Sequence, residues 1–209
     1  HLPPGCESTM DFPHEEHQLL RIAVDSLRRP VRSLLEESNP RIDWVVYDHT
    51  FHWVPEMARE LGIRSAYFGV FSAAYFAFMW APPDEGERRP KTIEDFIKPP
   101  KWFPCPSSKM AFRLHEVIRK IKLYSSMKVY DSSCTNLGVR VQLSKALSDI
   151  IIVRSCSDFE SEWFRLLNEL YRKPVVPVGV LPVDDEEEER TAAADDEDWS
   201  SIKQWLNSQ

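Results

Sequence analysis

The sequence has little glycine and lacks the glycine-rich loops that hold phosphates. Only six of its 209 residues are glycine. Neither the G-x-G-x-x-G pattern of dinucleotide-binding folds nor the G-x-x-x-x-G-K-[ST] pattern of P-loops occurs. Whatever nucleotide the fold serves, the loop that would cradle its phosphates is not in this sequence.

Cysteine and long apolar runs are also scarce. The four cysteines show no C-x-x-C spacing, which argues against a zinc site or a disulfide framework and suits a reducing cytosol. The first residues lack the basic and apolar regions of a signal peptide. The longest apolar run, 66–81, is shorter than the roughly 20 residues that span a bilayer. We therefore expect a soluble, cytoplasmic protein with no membrane span.

The negative charge is concentrated in one segment. Residues 184–198 hold ten acidic residues and one arginine, a local charge of −9, so that the other residues carry about +2 of the net charge of −7. The rest of the chain is nearly neutral and offers no electrostatic attraction for nucleic acid. The acidic segment itself is expected to be a solvated loop, because like charges at that density do not pack.

Short apolar strands alternate with amphipathic helices along the chain. The predicted strands are 43–48, 65–70, 149–154 and 175–178. The predicted helices are 17–35 (bent near Pro30), 53–61, 73–80, 111–124, 139–147, 160–171 and 200–206, with a long loop over 81–107. Strands that are apolar throughout indicate a parallel sheet buried on both faces. The predicted fold class is therefore α/β, with a doubly wound, Rossmann-like sheet.

The end of the first predicted strand carries the main candidate for chemistry. Asp48 closes that strand, and functional groups of open α/β sheets lie just past the carboxyl ends of the strands. A carboxylate there can orient a histidine that acts as a base, or it can simply cap the turn into the next helix. The pattern alone favours the cap. His49 and His52 flank the same point, where pocket-lining or structural roles fit them better than pairing with Asp48 or binding a metal.

A serine and a group of aromatic residues are further candidates for a binding site. Ser72 follows the second predicted strand and can touch a ligand there, but it lacks the G-x-S-x-G turn of a nucleophile. The aromatic residues between 67 and 80 are core by default, and some of them, with Phe51 and Trp53, can instead line an apolar acceptor pocket. The basic residues of 113–122 alternate with apolar ones, which is typical of a solvated helix face.

Several segments resemble the plant family-1 UDP-dependent glycosyltransferases. They are VVYDHTFHWVP at 45–55 with ARELGI at 58–63, LPPGCEST at 2–9, VRSCSDFE at 153–160, and 173–181 followed by the acidic stretch and IKQWL at 202–206. Together they cover nearly the whole chain. The likeness is greatest to the branch that glycosylates flavonoid or terpenoid glycosides.

The resemblance implies the GT-B fold, in which two Rossmann-like domains face each other. Residues 1–181 would be an incomplete N-terminal, acceptor-binding domain. Residues 182–209 would be an acidic loop and the start of the interdomain linker, and the C-terminal UDP-sugar domain would be absent. The expected partners are therefore a small-molecule glycoside, a UDP-sugar and the remaining segments of the same enzyme.

The resemblance also implies an inverting sugar transfer without a metal or another cofactor, the UDP-sugar being a co-substrate. In the family a histidine deprotonates the acceptor hydroxyl and an aspartate holds that histidine. The family's aspartate corresponds to Asp48. The resemblance therefore favours a catalytic role for Asp48 over a purely capping one. The family's base lies in a Gly-His turn that none of the six histidines matches, and its His-Cys-Gly-Trp-Asn-Ser pattern is missing. His52, Trp53 and Ser72 are the candidate acceptor-binding residues.

Two other functions stay open on the sequence. The chain can be a small-molecule binding module, or an inactive fragment, that keeps the apolar pocket without the chemistry. A third and weaker interpretation is an α/β hydrolase that uses Asp48 and a local histidine.

Overall fold

The computed structural model describes residues 2, 5–6, 8–11, 13–81, 90, 92–103, 110–126, 129, 131–132, 134–179 and 204–205. The chain divides into two compact units, residues 1–179 and 180–209. In the second unit the description covers Gln204 and Trp205, both helical. The predicted acidic loop and most of the predicted helix 200–206 lie outside the described residues.

Within the described residues, four strands form one parallel sheet. They are β1 (Trp44–Tyr47), β2 (Arg64–Gly69), β3 (Ile150–Val153) and β4 (Val175–Pro177). Their order across the sheet is their order along the chain. Tyr47 pairs with Tyr67, Tyr67 with Ile151, and Ile151 with Val175. The predicted α/β fold with a parallel sheet is confirmed.

Helices connect and precede the strands. They are α1 (Gln18–Ser26), α2 (Arg28–Glu37), α3 (Val54–Glu60), α4 (Ala73–Trp80), α5 (Ile93–Phe96), α6 (Leu114–Ser125), α7 (Leu137–Leu147) and α8 (Ser157–Tyr171), with 3-10 turns at His14–Glu16 and His49–Phe51. The short helix α5 lies within the predicted loop 81–107. Its Thr92 and Asp95 form a reciprocal capping box, a start signal that the sequence shows three residues apart.

The first predicted helix is interrupted at Leu27, three residues before Pro30. α1 ends at Ser26 and α2 begins at Arg28, so Pro30 lies in the first turn of α2. A proline in that turn costs no helical hydrogen bond, because the first N–H groups of a helix have no partner within it. The proline therefore belongs to the start of the second helix, and the bend predicted near Pro30 takes the form of a break at Leu27.

The core lies on one face of the sheet. The strand residues that belong to the core share that face by alternation and register, and they are Tyr47, Tyr67, Ile151, Val153 and Val175. On the opposite face Trp44 and Val46 are 44% and 60% exposed. The expectation that the strands are buried on both faces therefore fails at β1, whereas Ala66 of β2, which pairs with Val46 and shares that face, is 5% exposed. Because the strands follow one another in a single direction across the sheet, right-handed connections place every connecting helix on the same face.

The apolar helix α4 is held between two buried charges. Glu160 accepts hydrogen bonds at the start of the helix from the backbone N–H groups of Ala73 (2.8 Å) and Ala74 (2.9 Å). At the other end the Lys145 ammonium donates to the carbonyl of Trp80. Each charge has the sign that the helix dipole favours at its end. This arrangement fixes α4 against α8 and α7.

Candidate functional site

The functional candidates lie where neighbouring strands end. Asp48 directly follows β1, and Ser72 lies three residues after β2. Because β1 and β2 are parallel neighbours, both residues lie at the carboxyl edge of the sheet. The sequence placed each of them just after its strand, and the parallel pairing brings the two positions to one edge.

Asp48 caps the 3-10 turn with one of its oxygens. Its Oδ1 accepts a hydrogen bond from the Thr50 N–H at 2.7 Å. The other oxygen, Oδ2, accepts no hydrogen bond from the residues that the structure describes. The carboxylate is half-buried. Asp48 therefore fulfils the capping role and still has one oxygen with which to orient another group.

Burial favours the uncharged form of the two histidines near Asp48. Burial lowers the pKa of His49, partly offset by the charge of Asp48. Burial, followed by the charge of Arg140, lowers the pKa of His52. The Nδ1 atom of His52 lies 3.9 Å from Oδ1 of Asp25 and has no hydrogen-bond partner among the described residues. Neither histidine is hydrogen-bonded to Asp48 within the described residues.

A buried arginine fixes the turn that Asp48 caps. Arg140, on α7, is 1% exposed and its Nη1 donates to Oδ1 of Asp25 at 3.0 Å and to the carbonyl oxygen of Thr50 at 3.1 Å. Its Nε donates to the carbonyl oxygen of Thr135 at 2.8 Å. The turn is therefore held from both sides of Thr50, by Arg140 at the carbonyl and by Asp48 at the N–H. The sequence did not indicate the burial of Arg140, because adjacent helical residues lie on different faces and its neighbour Val139 is 44% exposed.

Ser72 and Trp53 occupy different environments. Ser72 is exposed and caps α4, where its Oγ accepts from the Tyr75 N–H at 3.3 Å. Trp53 is 4% exposed and belongs to the core, and its Nε1 has no hydrogen-bond partner within the described part of the chain. The ring of Phe51 meets that of Trp53 edge to face at 5.7 Å. This burial favours packing behind the site as the role of Trp53.

The described residues hold neither a cluster of metal-ligating side chains nor a helix that could cross a bilayer. In that part of the chain, no three side chains of the metal-ligating types gather as a possible ion site. None of the described helices combines the length and apolarity that crossing a bilayer requires.

The chain is similar in sequence to plant sugar transferases. No protein-family model matches it. It is 42% identical over 210 residues to UDP-glycosyltransferase 91C1 of Arabidopsis thaliana, covering 100% of this chain and 43% of that protein. It is 33% identical over 214 residues to soyasaponin III rhamnosyltransferase of Glycine max, covering 100% and 42%. It is 28% identical over 210 residues to anthocyanidin-3-O-glucoside rhamnosyltransferase of Petunia hybrida, covering 99% and 41%.

Solved structures share the fold. UGT2 of Phytolacca americana, complexed with UDP-2fluoro-glucose and pterostilbene, matches with a TM-score of 0.58 at 19% identity over 88% of this chain and 40% of that one. UGT89C1 of Arabidopsis thaliana, complexed with UDP-L-rhamnose, matches with a TM-score of 0.53 at 18% identity over 88% and 36%. The chain thus spans less than half of the proteins it matches. Its likeness in sequence along its whole length places it in the family of plant UDP-glycosyltransferases.

Proposed function

We propose that this chain provides the acceptor side of an inverting sugar transfer from a UDP-sugar to a hydroxyl of a small-molecule glycoside. Asp48 acts in it as the aspartate that holds the base histidine. One of the relatives is named for an anthocyanidin 3-O-glucoside acceptor, which supports an acceptor that already carries a sugar. A flavonoid or terpenoid glycoside fits this class.

The single observation that carries the proposal is the environment of Asp48. One carboxylate oxygen is held at 2.7 Å by the Thr50 N–H, and the other accepts no hydrogen bond from the described residues at the carboxyl edge of the sheet. A carboxylate held in this way can accept the Nδ1–H of a histidine, which fixes the tautomer of the ring and raises its basicity. The histidine itself comes from the part of the relatives' length that this chain does not span.

The proton and electron movements then follow from this pairing. Nε2 of the histidine removes the proton of the acceptor hydroxyl while the oxygen bonds to the anomeric carbon. The bond from that carbon to the UDP oxygen breaks at the opposite side, so the configuration inverts and UDP leaves with the electron pair. The imidazolium that forms is stabilised by the charge of Asp48. His52 and Ser72 are proposed acceptor contacts at the same edge, with Trp53 packing behind them.

The test is UDP release by a chimaera in which this chain replaces the matching part of UDP-glycosyltransferase 91C1. With a UDP-sugar and a panel of flavonoid and terpenoid glycosides, Asp48→Asn is expected to lower the rate of UDP release by roughly 10²–10⁴-fold, because the neutral amide cannot stabilise an imidazolium. Asp43→Asn is the matched control, since Asp43 lies at the other end of the same strand and is exposed.

Two results would count against this function. Equal rates for the Asp48→Asn and Asp43→Asn chimaeras would remove Asp48 from the chemistry. Saturable binding of a glycoside with no UDP release by any chimaera, including the one with native Asp48, would favour a non-catalytic binding module instead.

A further inference from the structure

An apolar cavity lies between α4, α6 and α7. Its volume is about 350 Å³, within the range of small-molecule sites. The walls are largely aromatic and aliphatic, and the described residues that form them include Tyr75, Met79, Phe112, Val117, Ile121 and Leu137. None of His52, Trp53 and Ser72 lines it, whereas Tyr75 and Trp80 belong to the aromatic residues that the sequence offered as the lining of an apolar pocket.

The aromatic wall of the cavity is supported from behind. The ring of Phe112 meets Tyr75 edge to face at 6.1 Å and Phe96 at 6.1 Å. It also contacts the ring of Phe78 at 5.6 Å, and Phe78 is 1% exposed. A ring packed against three others keeps its orientation, so the wall presents a fixed surface on which a flat apolar ligand can stack.

One cation faces this apolar wall. Among the described lining residues Lys120 alone is charged. Its Nζ donates to the Tyr75 hydroxyl at 3.0 Å and lies 4.9 Å from the centre of the Phe112 ring. No carboxylate of the described residues is within ion-pair distance of it. An ammonium group with this apolar surrounding gains more from an anionic partner than one in bulk water, because the local dielectric constant is lower.

The cavity is linked through α7 to the turn that Asp48 caps. Gly138 lines the cavity in the first turn of α7, and Arg140, two residues further on, binds the carbonyl oxygen of Thr50 at 3.1 Å. Tyr75, which lines the cavity as well, follows Ser72 by three residues in the first turn of α4. Both helices begin at the carboxyl edge of the sheet, because each runs back antiparallel to the strands. Two residues of the cavity wall therefore stand within three positions of Arg140 and Ser72, which belong to the candidate site.

We propose that this cavity binds a flat aromatic ring system that carries a carboxylate, with the ring against Phe112 and Tyr75 and the carboxylate on Lys120. The proposal rests on the proposed function in one respect, since it narrows the acceptor glycoside of that function to one whose sugar-free part is an aromatic acid. The aromatic wall selects the ring system. Lys120, which has no ion-pair partner among the described residues, selects the anion.

Binding to the 209-residue chain tests the cavity without any sugar nucleotide. The probes are 2-naphthoate and its methyl ester, which share the ring system and differ in charge, and calorimetric titration gives both affinities. We expect saturable binding of the acid, with the ester about tenfold weaker. In Lys120→Met the acid and the ester are expected to bind alike, whereas Lys122→Met, an exposed lysine on the same helix, keeps the tenfold preference.

A second variant fills the cavity and leaves Lys120 in place. A Cβ at Gly138 would meet only the Asn136 Oδ1 at 3.5 Å, so Gly138→Leu is tolerated by the backbone and is expected to weaken both probes. Absence of saturable binding, equal affinities for acid and ester in the native chain, or a preference that survives in Lys120→Met would each overturn the proposal. If the chain prefers the acid but the chimaera releases no UDP, the proposed function alone is overturned. If the chimaera releases UDP but the chain does not prefer the acid, the ligand proposed for the cavity alone is overturned.

Discussion

The buried carboxylate of Glu160 stabilises the fold and has no part in the proposed chemistry. It is 5% exposed and accepts from the first two N–H groups of α4 and from the Ser155 hydroxyl. A backbone N–H group buried at a helix start costs free energy unless it has an acceptor. Glu160 supplies both acceptors although it lies 87 positions from Ala73 along the chain. It therefore joins α8 to α4 and to the end of β3.

Replacing this carboxylate by an amide tests that role. Glu160→Gln is expected to lower the free energy of unfolding by about 1–3 kcal/mol, because the amide nitrogen cannot accept a hydrogen bond from an N–H group that stays buried. Glu162→Gln is the matched control on the same helix, since Glu162 is exposed, and its effect should stay within about 0.5 kcal/mol. Urea denaturation followed by circular dichroism measures both, and equal midpoints would contradict the role given to Glu160.

The lowered pKa values of His49 and His52 make the free energy of unfolding depend on pH. Burial lowers the pKa of both below the ordinary value of 6.5, so the unfolded chain takes up these protons at a higher pH than the folded one. Their contribution is therefore fully present above that ordinary value and is lost as the pH falls through the folded-state pKa values. The free energy of unfolding is expected to decrease from about pH 7 to about pH 5.

The double variant His49→Gln/His52→Gln isolates this contribution. Its free energy of unfolding should vary less over the same pH interval than that of the native chain. His115→Gln, which removes an exposed histidine from α6, controls for the loss of a histidine as such. A pH profile of the double variant parallel to that of the native chain would show that other groups cause the dependence.

At the scale of elements, Arg140 joins α7 to α1 and to the 3-10 turn. Its guanidinium reaches Asp25, 115 positions away, and Thr50, 90 positions away. Because three elements converge on one buried group, a change there alters their mutual position as well as the local charge. The Asp48 carboxylate lies on the turn that this group holds, so Arg140 is a positioning residue in the proposed site.

Arg140→Met is expected to cost about 3–5 kcal/mol of unfolding free energy, because it leaves the Asp25 charge partly buried without its partner. The double variant Asp25→Asn/Arg140→Met should cost less than the sum of the two single variants, since the unpaired charge is then gone. Arg119→Met, at an exposed arginine of α6, is the control. Additive costs in this double-mutant cycle would show that the two side chains do not act as a pair.

For the whole molecule, the sequence predicted the elements much better than their environments. The alternation of strands and helices depends on local signals, and α4 has the predicted bounds because Ser72 caps it and its residues are apolar. The exposure of Val46 and of Ile118, at 60% and 40%, could not be read from the pattern. An apolar side chain indicates a preference for burial, whereas actual burial depends on which elements cover it.

The candidate site was predicted only in part for a similar reason. Asp48 and Ser72 could be assigned to one edge of the sheet, because strand ends and parallel topology are visible in the sequence. Lys120 looked like an ordinary residue of a solvated helix face, and nothing nearby in the sequence indicates that Tyr75 and Phe112 approach it. Contacts of this kind join segments far apart in the chain, so only the folded structure reveals them.

The strand order β1-β2-β3-β4 also has a consequence for assembly during translation. Among the described strands, β2, β3 and β4 each pair with the strand synthesised just before, so none of these three has to open an existing pair to insert between two others. The sheet can grow at one side as the chain leaves the ribosome, with each completed strand serving as the template for the next. The slow step in such growth is the closure between β2 and β3, because some 80 residues separate Gly69 from Ile150 and a long loop must close before that pairing is gained.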